Sequence, residues 1–570
     1  MKKNLLSLIL FIFIFSTLHA QISVNPTSDF YTDALGWYLK GYVDSLPQLK
    51  PYSTEVIEKI LLAVMEGESV SESDREDAEI YYKRYFGRKI HFTAEGNFSS
   101  HFDMTEDDED SSARYEDNYE LYSAKASLGG DVKVNPYFGF GYDFGIRGLN
   151  NNELLSDRLP MYDGNREYYK MDDFYFKEGD VDFLLDLNAN VTFGTERING
   201  SVGYSRTGFG LDPASDIILN PAAFQMPNAS VNFDAGIFEY TQFTGVPVAQ
   251  SQTVENKYTW GKVFSFHSLR VPFFNRKLLL SYYESCMYGE GFNPSYLLPV
   301  PWIIIGEVSG HTENVYAGLN LQYKPVKCVA LSADFMLHQL DAKSFIKLKW
   351  NDAAIRGALK GGILYTPADS IFRFIKIDYS IVTPYTYTTY DLSDKNYNYS
   401  DYTNYGKCLG SELLPNSHQL SMTVQFRPVK RFSVTSTAKF MQHANEYENL
   451  DDEEVIALSG KTASDGSLKQ NTQGFDTCKD ETGLLNQDHK LTMVQSGIDL
   501  DFECASRKYM SVVLTAGYMF EYIMNKGVEQ PLFPGVYSSA DEVALARKRW
   551  EGNLHNSFNH YFKAGVKLSF

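Results

Sequence analysis

Clusters of tyrosine are the residues whose type and spacing best suit a binding reaction in this sequence. Three lie between Tyr385 and Tyr390, and more follow between Tyr397 and Tyr405 among Asn and Thr. A tyrosine ring combines a flat apolar face with a hydroxyl, which suits stacking on a sugar ring while hydrogen-bonding its hydroxyls. An aromatic belt at a membrane interface explains any single tyrosine equally well. The density of Tyr, Asn and Thr around 384–405 favours a loop that faces a glycan.

Two acidic runs could supply carboxylate oxygens to a calcium ion, at Glu106–Asp110 and Asp451–Glu454. Neither run has the glycine-punctuated spacing of a calcium loop, and solvated charge in a surface loop is the more ordinary explanation. The eleven histidines are dispersed and no Gly-x-Ser-x-Gly motif occurs, so no nucleophile and base can be assigned. We therefore predict a protein that is not an enzyme and that uses no metal or cofactor.

The five cysteines are scattered along the C-terminal half of the chain without a Cys-x-x-Cys pair. A zinc site or a dense disulfide framework is therefore not expected. An odd count leaves at least one thiol without a partner in the chain, while one or two bridges between neighbouring loops stay open. The cysteines are Cys286, Cys328, Cys408, Cys478 and Cys504.

The composition excludes several classes of protein. Of the 570 residues, 40 are Tyr, 39 Phe and 5 Trp, and so much aromatic surface must be buried or placed at an interface rather than left disordered. The net charge of −20 argues against a nucleic-acid partner, because phosphate binding needs a basic surface. Beyond the N-terminal segment we find no apolar run long enough for a membrane-spanning helix.

The N-terminus has the pattern of a secretory signal. Lys2 and Lys3 precede the apolar stretch Leu5–Phe15, and the small residue Ala20 follows at a distance suited to cleavage. The alternative, an uncleaved membrane anchor, is less favoured because the apolar stretch is too short to span a bilayer. We predict a signal peptide over residues 1–20 and a mature chain that starts at Gln21.

A helical pattern follows the predicted signal. Ser28 is placed to cap a first helix that reaches Gly41, and Thr54–Met65 has the i, i+3, i+4, i+7 spacing of an amphipathic helix. We expect Gly67 to end this second helix in a left-handed conformation. The apolar face of the second helix consists of Ile57, Ile60, Leu61 and Val64.

A third helix is predicted to open at the capping box Ser73–Glu76 and to run toward Phe86, with Gly87 beyond its end. Residues 21–88 thus form an N-terminal helical segment. The pattern of the remaining residues, 89–570, is different.

From Lys89 onward the apolar period changes to two, which is the spacing of β-strands. Two hairpins show this best, around similar turns at Lys324–Lys327 and Arg427–Lys430. Strict alternation means that one strand face contacts an apolar phase and the other a polar one. The apolar positions are Val315, Ala317, Leu319, Leu321, Tyr323, Val329, Leu331, Ala333, Phe335 and Leu337 in the first hairpin, and Leu420, Met422, Val424, Phe426, Phe432, Val434, Ala438 and Phe440 in the second.

Three features favour a transmembrane barrel over a soluble sandwich, which also alternates. The segments are about ten residues or longer, enough to cross the hydrocarbon when tilted. Tight turns alternate with long polar loops. The chain ends in an amphipathic strand, Phe562–Phe570, whose terminal Phe resembles the assembly signal of bacterial outer-membrane barrels. The predicted fold class is therefore an all-β transmembrane antiparallel β-barrel with a small α-helical periplasmic bundle.

The alternation gives about eighteen strands, an even number, if a short strand near Asp216–Leu219 is included. The first strand starts near Lys89 and the last ends at Phe570, both on the tight-turn side, which is periplasmic in such barrels. The helices are thus expected at the periplasmic mouth. Tight turns are predicted near Asn135, Glu196, Phe274, Pro325, Pro367, Pro428 and Ser506, and long loops near 102–116, 148–178, 243–255, 288–311, 338–352, 384–416, 441–490 and 523–555.

Several sequence blocks together resemble the Wzi family of capsule-assembly outer-membrane proteins. They occur in the family's order along most of the mature chain. The blocks are Tyr204–Gly210 with Ile217–Ala222, Gly289–Leu297 with Thr312–Asn314, Tyr402–Gly410 with Pro415–Ser417, and the early Leu46–Pro47 and Pro51–Ser53. The resemblance implies an eighteen-stranded barrel closed at its periplasmic end by helices, and a lectin-like role in holding surface polysaccharide.

The resulting hypothesis is an outer-membrane barrel that binds or anchors capsular or related polysaccharide through surface loops. The residues that match family blocks are the candidate polysaccharide contacts: Arg206, Asn220, Asn293, Asn314, Tyr405 and Asn416. For each, fixing loop conformation is at least as good an explanation. The alternative function is a porin or uptake channel for small hydrophilic or lipidic solutes. Expected partners are surface polysaccharide, outer-membrane lipid and the barrel assembly machinery, which would read Phe570; we expect a monomer.

Overall fold

The structure is a computed structural model that describes most of the chain. The described residues are 25–87, 90–104, 118–135, 137–150, 175–179, 181–195, 197–211, 217–251, 257–289, 291–302, 314–340, 355–368, 370–388, 397–458, 484–507 and 510–570. The predicted signal peptide, the first acidic run and Cys478 lie outside these ranges.

Three helices precede the barrel: α1 (Asp29–Lys40), α2 (Thr54–Glu66) and α3 (Glu72–Phe86). The Ser28 hydroxyl accepts a hydrogen bond from the Phe30 N–H, and Gly41 ends α1 in the left-handed region with φ +83°. The predicted apolar face of α2 is buried in a core shared by the three helices. None of the helices in the described ranges is long and apolar enough to cross a membrane.

Two predictions of helix ends are wrong. Gly67 follows α2 in an extended conformation, φ −66° and ψ 130°, so the short link to α3 leaves the helix without a left-handed residue. The cap of α3 is Ser71 and not Ser73: the Ser71 hydroxyl accepts a hydrogen bond from the Asp74 N–H, which starts the helix at Glu72. The motif of a hydroxyl three residues before a carboxylate occurs at Ser71 as well, and the earlier one is used.

Eighteen strands in the described part of the chain form the closed wall of one antiparallel barrel, and a short additional strand, Tyr175–Glu178, pairs with the start of the fourth at Val181–Leu184. The closing pair joins the first strand to the last, with Thr93 opposite Ser569 and Asp103 opposite Asn559. In chain order the strands are β1 Ile90–Asp103, β2 Tyr119–Asn135, β3 Phe138–Leu149, β4 Val181–Gly194, β5 Ile198–Ser205, β6 Met226–Asp234, β7 Glu239–Gly245, β8 Val263–Phe273, β9 Leu278–Tyr288, β10 Asn314–Tyr323, β11 Val329–Leu340, β12 Ile355–Tyr365, β13 Phe372–Val382, β14 Ser417–Val429, β15 Phe432–His443, β16 Leu491–Arg507, β17 Met510–Lys526 and β18 His555–Ser569.

The two faces of these strands differ as the alternation predicts. One row of side chains is apolar and exposed on the outside of the barrel, where lipid would lie, and includes Leu319, Phe335, Leu359, Ile377, Leu420, Met422, Phe562 and Val566. The other row points into the lumen and is polar, with Asn320, Asp334, Lys360, Asp378 and Ser421 on neighbouring strands. The predicted fold is confirmed. It is the architecture of outer-membrane barrels.

The predicted short strand near Asp216–Leu219 is wrong. Ile217, Ile218 and Leu219 form no strand and are instead buried inside the barrel. In this part of the barrel the wall is formed by β6 and β7, which pair with each other. The tight turn that joins them, at residues 235–238, is not among the predicted turns. The three consecutive apolar residues mark a buried segment, whereas a barrel strand would alternate.

The helices lie at the tight-turn end of the barrel, and ion pairs attach them there. Asp77 accepts a hydrogen bond from Arg427 at 2.6 Å, and an Arg373 nitrogen lies 3.0 Å from its second oxygen. Arg373 also pairs with Asp33. The backbone contributes as well, since the Cys328 N–H donates to the Leu39 carbonyl at 3.0 Å.

The second acidic run has a local structural role. Asp451 and Glu454 hydrogen-bond each other's backbone N–H groups, at 2.8 and 3.0 Å, and thereby cap α4 (Asp452–Leu458). It belongs to a helix start and not to an unstructured surface loop. A further helix, α5 (Ala540–Asn553), packs near it. The four cysteines within the described ranges form no disulfide bond with one another.

Candidate functional site

Loops from the extracellular end fold back into the barrel and form what we call the loop plug, residues 206–211, 217–225, 383–388 and 397–416. Its apolar side chains pack against inward-facing strand residues such as Phe264, Phe266 and Tyr316. The result is one continuous apolar core in the upper part of the lumen. Loops usually run over a protein surface, so a buried loop must satisfy its backbone groups internally.

The tyrosines of the predicted glycan-facing loop divide into two groups. Tyr385, Tyr387 and Tyr402 have no exposed surface. The Tyr387 hydroxyl donates to the Ile217 carbonyl at 2.6 Å, and the Tyr402 hydroxyl donates to the Ile218 carbonyl at 2.8 Å. For these three the stacking interpretation is wrong, because they are buried inside the plug and pack against protein groups. Tyr397 and Tyr399 are half-buried, whereas Tyr405 is buried with 8% of its surface exposed.

Two of the six candidate contacts hold one corner of the plug. The Arg206 guanidinium donates to the carbonyls of Ala222 and Ala223 at 2.8 and 2.7 Å. Asn220 accepts from the Ala222 N–H through its side chain and donates its own N–H to the Leu409 carbonyl at 2.7 Å. Both side chains are buried. They therefore fix the path of residues 217–225 against the segment around Leu409.

The other four candidates lie apart from that corner and also contact protein groups. Asn314 donates to the Tyr316 hydroxyl at 2.7 Å and to the Ser400 carbonyl at 3.1 Å. Asn416, in a left-handed conformation, donates to Ala444 and Gln487 oxygens. Asn293 caps a short 3₁₀ helix. Tyr405 packs its ring between Phe224 and Tyr258. As polysaccharide contacts all six stay predictions.

A group of partly exposed aromatic side chains lies at the extracellular end of β8, and we call it the aromatic platform: Tyr258, Trp260, Tyr397 and Tyr399. Trp260 is 52% exposed and the three tyrosines are half-buried. The rings of Tyr397 and Tyr399 lie 6.2 Å apart. The Tyr399 ring packs on Gly289, where an added Cβ would come within 2.6 Å of it. This is an apolar, hydroxyl-bearing surface open to solvent.

Backbone pairing holds the platform together. The short antiparallel pair Ala249–Gln250 with Tyr258–Thr259 positions Tyr258. Ser251 pairs in turn with Tyr397. The Asn398 side chain accepts from the Gln250 N–H at 2.9 Å, and the Asn398 N–H donates to the Gln250 carbonyl at 3.0 Å. Segments distant in sequence thus present their aromatic rings together.

A buried lysine lies directly beneath the platform. The Lys262 ammonium donates to the Asn398 carbonyl at 3.0 Å and to the Thr403 hydroxyl at 3.1 Å. Burial lowers the pKa of Lys262 to about 7, and the nearby Asp401 carboxylate opposes part of that decrease. Burial also raises the pKa of Cys408 to about 12, so its thiol stays protonated and unreactive. Lys262 thus supports the loops through these two hydrogen bonds.

Sequence reasoning included Tyr397 and Tyr399 but missed Trp260 and Tyr258. The loop there was predicted to end near residue 255, so both aromatics were counted with the following strand. The motif Tyr258-Thr259-Trp260-Gly261 carried a usable signal, because a glycine with φ +119° breaks the alternation before β8 begins. Only the fold brings these two residues next to Tyr397.

Comparisons with known proteins identify the fold. Wzi of Escherichia coli, described as an outer-membrane protein involved in group 1 capsule assembly and as a carbohydrate-binding β-barrel, shares 11% identity with a TM-score of 0.54, over 96% of this chain and 98% of its own. OccAB4 of Acinetobacter baumannii shares 11% identity with a TM-score of 0.40, over 85% and 98%. OccK2 of Pseudomonas aeruginosa shares 8% with a TM-score of 0.42, over 85% and 98%.

This chain is an outer-membrane type of barrel. At these identities the likeness to solved structures extends to the fold alone. No family model and no curated protein matches the sequence. The ligand must therefore be argued from the residues of this chain.

Proposed function

We propose that this protein binds polysaccharide at the cell surface, through the aromatic platform and the loops around it, and thereby keeps the polysaccharide attached to the outer membrane. The proposal includes membership of the Wzi family, which the sequence blocks suggest. The capsule and carbohydrate binding named for Wzi of Escherichia coli are consistent with it. The observation that carries the proposal is the platform itself, four solvent-accessible aromatic rings on loops fixed from below.

The chemistry of the platform suits a sugar. The ring faces would stack on the apolar faces of pyranose rings, while tyrosine hydroxyls and nearby amides would bind sugar hydroxyls. The platform residues are held by paired backbone and by Lys262, so little ordering is needed when a ligand binds. Rigid aromatic anchors of this kind give affinity at a low entropic cost.

The loop plug supports surface binding over passage through the barrel. Its apolar core joins inward-facing residues of β8, β9, β10 and β11, including Phe264, Tyr283, Tyr316 and Met336. A hydrophilic solute moving along this side of the lumen would have to displace that core. The six sequence-predicted residues then contribute by holding the loops in place, and direct contact with the polysaccharide is expected first at the platform.

The net charge of the chain limits which glycans can bind without bridging cations. With a net charge of −20, long-range attraction of an acidic polysaccharide is unfavourable. A neutral glycan, or an acidic one bridged by divalent cations, is therefore the expected ligand class.

The test compares polysaccharide retention in cells. Deleting the gene is expected to shift polysaccharide from the cell-associated to the shed fraction, and restoring the wild-type gene should reverse the shift. A Trp260→Ala, Tyr399→Ala double variant should also fail to restore retention. Tyr137→Ala is the matched control, because Tyr137 is a similarly exposed aromatic at the opposite, tight-turn end of the barrel. Unchanged retention in the deletion strain would reject the anchoring role.

Planar-bilayer conductance separates this proposal from the uptake channel. The intact purified protein is expected to give no steady open-pore current. A steady, solute-permeable pore from the same preparation would favour the channel instead.

A further inference from the structure

An ionisable pair lies on the outer wall of the barrel, where only apolar side chains are expected. Leu269 and Tyr282 are exposed on the lipid-facing side of β8 and β9. His267 and Glu284 each lie two residues from them along the same strands, so they occupy the same face. The pair is nevertheless buried, with Glu284 at 0% and His267 at 6% exposure.

The depth of this pair places it within the hydrocarbon. A strand rises about 3.3 Å per residue and tilts by about 40° in such barrels, so it climbs about 2.5 Å per residue along the membrane normal. Glu284 lies six residues after Leu278, the first residue of β9, and is therefore about 15 Å above the periplasmic end of that strand. The apolar band of such a barrel is about 25 Å tall. A carboxylate here would face the outer half of the bilayer, at a high desolvation cost.

A loop covers the pair and replaces the lipid. The backbone N–H of Trp302 donates to the Glu284 carboxylate at 2.5 Å. The centroid of the Trp302 ring lies 4.0 Å from that of the His267 ring. Tyr296 is fully buried beside it, and its carbonyl accepts from the Gln242 side chain at 2.9 Å. Gln242 belongs to the same outer face of the barrel, because it is paired with His267 across β7 and β8.

The sequence predicts a long loop at 288–311. Its described part, which we call the cover (residues 291–302), folds over the outside of the wall. Its own outer side is apolar: Phe292, Leu297, Leu298 and Val300 are 41–55% exposed. The segment contains no charged residue, and three prolines reduce its number of backbone N–H donors.

We propose that the cover is a membrane-embedded surface that binds the acyl chains of outer-leaflet lipid. The exposed side chains of the cover continue the lipid-facing surface formed by Leu269, Tyr282 and Leu319, which are exposed to a similar degree. Because the cover is anchored to Glu284 inside the apolar band, it lies at the depth of the acyl chains. A loop surrounded by water would expose polar side chains and not an apolar surface of this kind. Lipid contact at the cover does not depend on glycan binding at the platform.

The experiment measures which medium contacts Leu298. A Leu298→Cys variant, with Cys328, Cys478 and Cys504 replaced by Ser, is labelled with a bimane fluorophore and reconstituted into phosphatidylcholine vesicles. Brominated acyl chains are expected to quench the label severalfold more than aqueous iodide does. Leu319→Cys on the barrel wall should behave in the same way. Val536→Cys is the control for contact with water, because Val536 is a 79% exposed apolar residue in an extracellular loop. For this variant iodide is expected to quench the label more than brominated acyl chains do.

Two results would overturn the proposal. One is quenching of the Leu298→Cys label by iodide to the extent seen with Val536→Cys. The other is efficient crosslinking between two copies of the Leu298→Cys variant through the introduced thiols, which would make a second protein molecule the occupant of this surface. Because every labelled site is on the surface, the folded barrel is expected in all variants, and the heat-dependent shift in gel mobility of folded barrels checks it.

Discussion

The two ends of the barrel are closed in different ways. At the extracellular end the loop plug shares one apolar core with the barrel wall, so that loop residues and strand residues bury each other. At the periplasmic end the helices have a core that is largely their own, with Leu211, Leu279 and Ala330 as members from outside the helical segment. Charged side chains then attach this bundle to the tight-turn end of the barrel.

The difference shows what each closure depends on. Removing a plug side chain leaves a cavity in the core of the barrel itself, so we expect the stability of the whole protein to fall. Removing one of the ion pairs that attach the helices leaves that core unchanged, so we expect only the docking of the helices to weaken. Substitutions in each closure, and the pH dependence of docking, distinguish the two.

Tyr402→Ala should destabilise the folded barrel by about 3–5 kcal/mol, because it opens a cavity and leaves the Ile218 carbonyl without its donor. Unfolding in urea, followed by gel mobility in detergent, measures this. Tyr137→Ala at an exposed position should change the free energy of unfolding by less than about 0.5 kcal/mol. Equal effects of the two variants would mean that the plug does not share the barrel core.

Arg427→Ala should weaken docking of the bundle by about 2 kcal/mol, since Asp77 loses a charge-assisted hydrogen bond. We expect proteolytic release of residues 25–87 to become roughly 30-fold faster while the barrel keeps its unfolding midpoint. If the unfolding midpoint of the barrel fell as release became faster, the ion pair would contribute to the stability of the barrel as well as to docking, contrary to this prediction.

Docking of the bundle should also depend on pH through Asp33. Burial raises the pKa of this carboxyl to about 7 despite the opposing effect of the Arg373 guanidinium. The docked carboxyl therefore binds a proton that the same carboxyl has already lost in a released and unfolded segment, where its pKa is an ordinary one near 4. Docking must weaken as pH rises through 7, by about tenfold between pH 6 and pH 8. Proteolytic release measured over that range should show the rise, and Asp33→Asn should remove it. A pH-independent release rate in the wild type would exclude this carboxyl as the titrating group.

Lys430→Ala should have the smallest effect. The Lys430–Glu76 pair is 2.8 Å long but lies at the surface, with side-chain exposures of 67% and 42%. Exposed pairs contribute about 0–1 kcal/mol, so release of the bundle should change by less than about fivefold. A larger change would place this pair among the main attachments.

The strands and helices were predictable because their signals are local. Alternation along Val315–Leu337 fixes which side chains face lipid, and the spacing in Thr54–Met65 fixes the buried side of α2. The plug and the platform depend on contacts between distant segments. Tyr402 and Tyr399 belong to the same Tyr-rich stretch, yet one packs against Phe264 and the other lies at the surface. No local pattern distinguishes them, because the difference arises from what the fold places above and below each ring.

The segment between α1 and α2 connects the two closures physically. Leu46 belongs to the helical core, whereas three residues later Leu49 belongs to the core of the plug. Inside the barrel, Leu49 and Lys50 pair with Phe209 and Gly208. A pull on the helices would therefore travel along a short length of covalent chain to the buried plug segment around Phe209. Residues 46–49 thus form a covalent link between the two closures through the interior of the barrel, and a mechanical force on one closure is transmitted to the other.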